Sequence, residues 1–164
     1  MPTLTFAQLE SICATVKAGN PHYSPLSAQW CTDLYFTGCR PNELTNRQRW
    51  SYDGASTYAL QPLKSNNLRY FDASILTGGL KRFIAGDQNQ YSLISYSRMK
   101  QIFTTTSPFT QVYHETKAMD LYLFRYRYVK YLRLIGYSDL QIQDDMGWVD
   151  SFHVNGYADA ILTY

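Results

Sequence analysis

The hydrophobic pattern of this chain is helical along most of its length and changes to a strand pattern only between residues 56 and 74. In that stretch, Thr57-Tyr58-Ala59-Leu60-Gln61 and Leu68-Arg69-Tyr70-Phe71 flank the polar segment Lys64-Ser65-Asn66-Asn67. This order predicts a strand, a turn and a second strand that pairs with the first in antiparallel fashion. We therefore expect an α+β fold that is mostly α, with one small antiparallel β-sheet.

Elsewhere, apolar residues recur at the three- and four-residue spacing of amphipathic helices. Leu26, Trp30 and Leu34 lie four apart and predict a helix that ends at Gly38. The other predicted helices cover about residues 6–17, 41–48, 77–85, 91–104 and 120–135. No internal repeat and no linker divides the chain, so we expect a single domain over residues 1–164.

The composition favours a globular protein and argues against several other classes. With 164 residues, 45% of them hydrophobic and 17% charged, the chain can build a core of its own. Cys13, Cys31 and Cys39 are odd in number and lack the paired spacing of a zinc site, which indicates reduced thiols and a cytoplasmic protein. The sequence shows neither a signal peptide nor an apolar run approaching the roughly 20 residues of a membrane span.

Charge is distributed unevenly along the sequence, although the net charge is only +2. Residues 125–133 contain four basic residues and no acidic one, whereas residues 139–150 contain four acidic residues and no basic one. A net charge this small is a weak argument for a nucleic-acid partner. The distribution of the charge is therefore more informative than its sum.

One segment holds an arginine on a rigid turn. In Thr37-Gly38-Cys39-Arg40-Pro41-Asn42-Glu43-Leu44, a glycine ends one predicted helix and a proline begins the next. Arg40 therefore leaves the end of a helix in a fixed direction.

Four further features follow this segment in order. Lys64 lies at the boundary between the first predicted strand and its turn. Tyr122-Leu123-Phe124-Arg125 begins a predicted helix, and Met146-Gly147-Trp148 lies farther downstream. Tyr157 lies nine residues beyond Trp148.

The spacing between Trp148 and Tyr157 requires a break in the helix. Nine residues on one continuous helix would place the two side chains about half a turn out of phase. Gly147 and the pair Asp150-Ser151 predict that break, because a glycine ends helices and either polar residue can cap a new one.

In their order and separations, these features resemble the catalytic domain of the tyrosine recombinases, the phage integrase family. The segment around Arg40 is similar to the first arginine box of that family. The segment from Tyr122 to Arg125 is similar to the second box, in which a histidine usually stands where this chain has Tyr122. The resemblance extends from about residue 4 to residue 164. It implies a helical DNA breaking-rejoining catalytic domain without the N-terminal core-binding domain that family members usually carry.

The resemblance also implies a function and a role for each residue. The implied catalytic residues are Arg40, Lys64, Tyr122, Arg125, Trp148 and Tyr157, with Tyr157 as the nucleophile and Glu43 as a supporting residue. The implied activity is site-specific recombination or integration of viral or prokaryotic mobile DNA through a 3′-phosphotyrosyl intermediate. The implied setting is a homotetramer on double-stranded DNA in the cytoplasm of a bacterial, archaeal or virus-infected cell. No cofactor and no metal ion are implied.

The chemistry of these residue types agrees with the implied roles. A phosphodiester gains charge on its non-bridging oxygens during attack, and two guanidinium groups can stabilise that charge. A phenol ordinarily ionises only near about pH 10, so a positive site favours the attacking form of Tyr157. Lys64 can protonate the departing 5′ oxygen. Tyr122 and Arg125, three residues apart on one helix, are expected to face the same phosphate.

Tyr122 is the main departure from the family pattern, because a phenol cannot exchange protons near neutral pH as an imidazole does. His114, eight residues upstream, and His153, one turn before Tyr157, are candidates to fill the vacancy. Two alternative functions therefore stay open. One is a catalytically impaired DNA-binding protein of the same fold, and the other is an enzyme like the type IB topoisomerases.

Each site residue also has a purely structural interpretation. Arg40 could be a charge that caps a helix C-terminus, and Arg125 could belong to a solvated helix face. Lys64 could be a surface lysine in a polar turn, and Trp148 a core residue. Tyr157 is selected from fifteen tyrosines by its spacing alone.

Overall fold

A computed structural model of the protein describes residues 4–5, 7, 14, 24–87, 91, 95–104, 121–150, 152–158 and 162–163. The helices are α1 (Ser24–Thr37), α2 (Pro41–Leu44), α3 (Gly78–Ile84), α4 (Tyr96–Thr104), α5 (Leu123–Leu134), α6 (Asp139–Met146) and α7 (Phe152–Ala158). The strands are β1 (Leu4–Thr5), β2 (Trp50–Tyr52), β3 (Thr57–Leu60), β4 (Arg69–Asp72) and β5 (Leu162–Thr163). The predicted fold class, α+β and mostly α, is confirmed.

Strands β2, β3 and β4 form an antiparallel sheet in that order. β3 and β4 are the predicted pair, and Tyr58 on β3 lies opposite Phe71 on β4 with both side chains buried. The sequence pattern does not predict β2, which pairs with β3 and places Trp50 opposite Leu60. β1 and β5, two residues each, pair in parallel and form a second sheet that the pattern also does not predict.

Two of the predicted helices need comment. α2 ends at Leu44 instead of near residue 48, because the backbone of Asn46 is extended. The Asn46 side chain then accepts a hydrogen bond from the N–H of Gln48 and begins a 3₁₀ turn at Arg47–Arg49. The helix predicted at residues 6–17 lies outside the described residues, except that residues 7 and 14 are helical.

No helix within the described ranges has both the length and the hydropathy to cross a membrane.

Helix α1 ends at Thr37 as the sequence predicts. The next residue, Gly38, has a φ of 62°, which reverses the backbone before Arg40. A Cβ atom added to Gly38 would lie 2.5 Å from the Cγ atom of Tyr128 on α5. The turn therefore requires glycine for two reasons, a positive φ and a close approach of α5.

Gly38→Ala is expected to destabilise the fold by about 3 kcal/mol. This is the sum of the cost of a left-handed backbone at a residue with a Cβ and the cost of overpacking that Cβ against α5. Gly54→Ala is the matched control. Gly54 also has a positive φ, 83°, but an added Cβ would meet nothing within 4 Å, so only about 1 kcal/mol should be lost. Urea unfolding measures both values. Equal losses in the free energy of unfolding of the two variants would show that close packing of α5 against this turn adds no cost.

Asp33, buried on α1, joins this helix to two later segments. Tyr91 lies in a turn instead of the helix predicted from residue 91, and its hydroxyl donates to Asp33 Oδ2 at 2.7 Å. Thr77, which caps α3, donates its N–H and its hydroxyl to the same carboxylate at 2.9 and 2.6 Å. Burial raises the pKa of Asp33 to about 6, although the hydrogen bonds from Thr77 and Tyr91 oppose the rise.

Asp33→Asn is expected to gain stability relative to the wild type as the pH rises from about 4 to about 7.5. Because the folded state holds the Asp33 proton more tightly than the unfolded state, this residue stabilises the fold below about pH 4 and loses that contribution as the pH rises through about 6. The amide does not ionise, so the stability of Asp33→Asn relative to the wild type should rise by up to about 3 kcal/mol between about pH 4 and about pH 7.5. The cost of placing an NH2 group where the hydroxyls of Thr77 and Tyr91 donate is the same at both pH values. Urea unfolding at the two pH values tests this. Asp87→Asn, at an exposed acid, is the control, and a stability difference between Asp33→Asn and the wild type that does not change with pH would contradict the prediction.

Helix α5 contributes to both hydrophobic clusters of the described residues. Its Phe124 belongs to the cluster around α1 and the three-stranded sheet. Its Val129 and Leu132 belong to the cluster shared with α6 and α7. Arg125 follows Phe124 and is itself buried. α5 therefore carries an arginine into the interior where the two clusters adjoin.

Candidate active site

A cleft opens where four segments meet: the α1–α2 turn, the β3–β4 loop, the segment after α6, and α7. It encloses about 640 Å³, open solvent included. The residues that line it include Arg40, Lys64, Trp148, Asp150, His153 and Tyr157. Four of the six predicted catalytic residues thus share one cleft, although they come from distant parts of the sequence.

Arg40 is held by the buried carboxylate of Glu43. The backbone N–H of Arg40 donates to Glu43 Oε1 at 2.7 Å, and the guanidinium donates to Oε2 at 3.2 Å. Glu43 Oε2 also accepts from the N–H of Leu63, in the loop that carries Lys64. Burial alone would raise the pKa of Glu43, but the two backbone hydrogen bonds and the guanidiniums of Arg125 and Arg40 lower it overall. An ionised Glu43 therefore joins the arginine turn to the lysine loop.

Arg125 lies beneath the cleft with only 1% of its surface exposed. Its NH1 donates to the carbonyl of Gly38 at 3.0 Å, and its Nε donates to the hydroxyl of Tyr157 at 3.2 Å. The guanidinium also lies 5.6 Å from the ring of Trp148. The interpretation of this basic segment as a solvated helix face is wrong, because Arg125 and Arg127 are both buried.

The electrostatics of Arg125 favour an anionic partner. Burial, and then repulsion from Arg40, lower the pKa of Arg125. Its NH2 is buried and has no hydrogen-bond partner among the described residues. A buried donor without a partner costs free energy that an anion bound beside it would recover. No group of three or more His, Cys, Asp or Glu side chains in the described part of the chain could hold a metal ion.

Tyr157 is half-buried on α7, and its ring packs against two other aromatic rings. The ring centroids of Tyr126 and Trp148 lie 4.4 and 5.3 Å from that of Tyr157. Val154, on the same helix, is fully buried in the cluster shared with α5 and α6. The hydroxyl of Tyr157 is thereby kept at the guanidinium of Arg125, on the floor of the cleft.

Trp148 and Tyr157 do not lie on one continuous helix, as predicted. α6 ends at Gly147, which has a φ of 68°, and Asp150 Oδ1 accepts from the N–H of Phe152 at the start of α7. A Cβ added to Gly147 would lie 2.7 Å from the carbonyl oxygen of Asn67. The side chain of Asn67 donates to the carbonyl of Trp148 at 3.3 Å. The β3–β4 loop is thus attached directly to the segment that carries Trp148.

Trp148 is only 7% exposed and belongs to the hydrophobic cluster that α5 shares with α6 and α7, yet it also lines the cleft. Its structural interpretation and its place in the cleft are therefore compatible. Lys64 is exposed in the β3–β4 loop. Arg49 holds the base of this loop, because its NH1 donates to the carbonyls of Gln61 and Pro62 at 3.3 and 3.1 Å. The loop that presents the exposed lysine is thus anchored at its base.

The candidates for the second-box histidine are placed differently. Tyr122 is half-buried at the start of α5 and is not among the described residues that line the cleft. His114 lies outside the described residues. His153 is exposed, lines the cleft, and has its ring centroid 5.6 Å from that of Trp148. Of these three side chains, the structure brings His153 to the cleft.

Comparison with known proteins gives a structural similarity and no sequence match. No protein-family model matches the sequence, and no curated protein matches it. Among solved structures, the chain is similar to the XerH site-specific recombinase bound to its palindromic difH substrate in a post-cleavage complex. The TM-score is 0.62 at 12% sequence identity, over 96% of this chain and 49% of that one. The fold is shared with a site-specific recombinase. This chain spans about half the length of that protein.

Arg69 is a buried residue near the site that the sequence analysis does not single out. It is 1% exposed, donates to the carbonyl of Thr37 at the end of α1, and donates to the carbonyl of Asp145 near the end of α6 at 2.7 Å. It therefore fixes the arginine turn relative to the segment with Trp148. The alternation of β4 contains the signal, because Arg69 falls on the same face as the buried Phe71.

Proposed function

We propose that this protein cleaves and rejoins double-stranded DNA as a tyrosine-type site-specific recombinase, with Tyr157 as the nucleophile. The observation that carries the proposal is the hydrogen bond from the buried guanidinium of Arg125 to the hydroxyl of Tyr157. This pair lies beside a cleft that Arg40 and Lys64 also line. The fold shared with a DNA-bound recombinase supports the same conclusion.

A DNA phosphodiester suits this cleft because the fixed charges around it are mainly positive. Arg40 and Arg125 supply two guanidiniums, and each contacts one oxygen of the Glu43 carboxylate. The NH2 of Arg125, without a partner among the described residues, can donate to a non-bridging phosphate oxygen. Donors fixed in place before the reaction stabilise the charge that develops during attack.

The proposed reaction needs no external energy source. The hydroxyl of Tyr157 gives its proton to a base in the cleft as its oxygen bonds to phosphorus. The bond between phosphorus and the 5′ oxygen breaks, and the 5′ oxygen takes a proton from the ammonium of Lys64. Arg125 favours attack because its hydrogen bond stabilises negative charge on the phenolic oxygen. The phosphotyrosyl bond replaces one phosphate ester by another, so the reverse reaction rejoins the strand. We further propose a homotetramer acting on mobile DNA in a bacterial, archaeal or virus-infected cell.

A second candidate is a DNA-binding protein of the same fold that has lost catalysis. The observation that favours it is the tyrosine at position 122, which is half-buried and does not line the cleft among the described residues. In this case the protein binds a specific duplex and forms no covalent bond with it.

Trapping on nicked DNA separates the two candidates. The probe is a pool of duplexes with a randomised core and a nick beside each possible cleavage position, because a short fragment released at the nick leaves a covalent adduct that cannot reverse. Complexes are denatured in detergent, and the DNA attached to protein is sequenced. A recombinase yields adducts with one enriched sequence. An enriched sequence that is bound before denaturation but never attached would support the DNA-binding protein instead.

A further inference from the structure

The cleft contains a histidine that the reaction proposed above does not use. His153 lies on α7, four residues before Tyr157, and lines the cleft together with Lys64. Its side chain is exposed, and its ring packs edge-on against that of Phe152, with centroids 5.5 Å apart. The imidazole is therefore accessible from the cleft and partly fixed by aromatic neighbours.

His153 and Tyr157 are neighbours on one face of α7. Residues four apart on a helix lie one above the other, close enough for their side chains to interact. Both rings also flank Trp148, whose centroid lies 5.6 Å from that of His153 and 5.3 Å from that of Tyr157. Because Trp148 is buried, it provides a fixed surface beside both side chains.

The proposed reaction requires a group that takes the phenolic proton of Tyr157. Among the described residues that line the cleft, Lys64 serves the 5′ oxygen, and the guanidinium of Arg40 has donors but no acceptor. Asp150 accepts the N–H that begins α7, and its negative charge would face an anionic phosphate. Of the other side chains in this part of the lining, the imidazole of His153 is the one that can accept a proton near neutral pH.

We propose that His153 is the general base for Tyr157, directly or through one water molecule, and so replaces the histidine missing from the second box. This inference rests on the proposed recombinase function. In cleavage, the phenolic proton passes to the imidazole as the bond between oxygen and phosphorus forms. The bond from phosphorus to the 5′ oxygen breaks, and that oxygen takes its proton from Lys64. In rejoining, the imidazolium returns its proton to the departing phenol.

The proposed role of His153 predicts how the rate of cleavage depends on pH, and four charged side chains surround this imidazole. Lys64 and Arg40 line the cleft with it, Asp150 lies one turn earlier at the start of α7, and Arg125 contacts the far side of Tyr157. The imidazole must be neutral to accept a proton. Cleavage that depends on this base should therefore rise with pH, and the rise should be absent from a variant that lacks the imidazole.

The test uses the nicked duplex selected from the randomised pool and measures the single-turnover rate of adduct formation. His153→Gln is expected to slow this rate by about a hundredfold and to remove its rise with pH. Added imidazole should partly restore His153→Ala, an effect that a purely structural role would not produce. Asn155→Ala, an exposed change on the same helix, should leave rate and pH profile unchanged.

A DNA substrate with sulfur in place of the bridging 5′ oxygen distinguishes the proposed general base, His153, from the proposed general acid, Lys64. A thiolate leaves without protonation, so this substrate should relieve the defect of Lys64→Ala and leave that of His153→Gln. Relief of the His153→Gln defect would overturn the assigned role, and so would an unchanged rate and pH profile in that variant. In either case, adducts that still depend on Tyr157 would keep the recombinase function intact. A wild-type protein that forms no adduct would overturn both.

Discussion

Tyr157→Phe is expected to abolish the covalent protein–DNA adduct and to leave the fold and the affinity for DNA nearly unchanged. The substitution removes one oxygen atom, so the nucleophile is lost completely. The ring should keep its packing against Tyr126 and Trp148, because that packing does not involve the hydroxyl. Only the hydrogen bond from Arg125 is lost.

The measurement compares adducts and binding on the same nicked duplex. Adducts are counted after denaturation in detergent, and binding is measured by gel shift before denaturation. Tyr126→Phe is the matched control, because it removes a hydroxyl from the ring that packs on Tyr157 without touching the proposed nucleophile. Adducts that persist in Tyr157→Phe would transfer the nucleophilic role to another residue.

Arg40→Ala is expected to slow cleavage by about two to three powers of ten, the usual cost of removing one donor that stabilises a transition state. The variant should still fold. Glu43 loses one bond to the guanidinium but keeps those from the backbone N–H groups of residue 40 and Leu63. Thermal unfolding checks the fold, and single-turnover cleavage checks the rate.

Two further variants make this test specific. Arg40→Lys keeps the charge but loses the planar fork, so it should recover only part of the rate. Arg82→Ala, at an exposed arginine on α3, should cleave like the wild type. An unchanged rate in Arg40→Ala would refute its assigned role. Arg125→Ala is a poorer test, because Arg125 also donates to Gly38 in the interior and its loss affects folding as well as cleavage.

Local patterns in the sequence predicted those parts of the fold that depend on local interactions. Gly38 and Gly147 end helices where the pattern places them, because a positive φ is a property of one residue. The β3–β4 hairpin was predicted for a similar reason, since alternation and a polar turn are visible within one short stretch. The α+β class follows from these two kinds of signal.

The elements that were missed depend on distant partners. β2 has three residues, too few for a recognisable alternation, and becomes a strand by pairing with β3. β1 and β5 are two residues each and pair across almost the whole chain. The only local mark of Arg69's burial is that it shares a face of β4 with Phe71; its partners are carbonyls on α1 and α6, far away in the sequence.

The candidate site was predicted from the order and spacing of its residues in the sequence. These indicate which residues belong to the site but not how their side chains are arranged. Arg40, Lys64, Trp148 and Tyr157 do line one cleft. The sequence named His153 as one candidate for the second-box histidine, but it could not indicate that His153 would line the cleft or that Tyr122 would lie at the start of α5 away from that lining. Such differences depend on how helices pack, and residue spacing carries no information about that packing.

The most direct test of this account identifies the amino acid that carries the DNA. The adduct trapped on the nicked duplex is digested with nuclease and protease, and the peptide that retains a nucleotide is sequenced by mass spectrometry. The account predicts a single modified residue, Tyr157, joined to the 3′ phosphate of the cleaved strand. A nucleotide on any other residue, or a linkage through the 5′ phosphate, would contradict it.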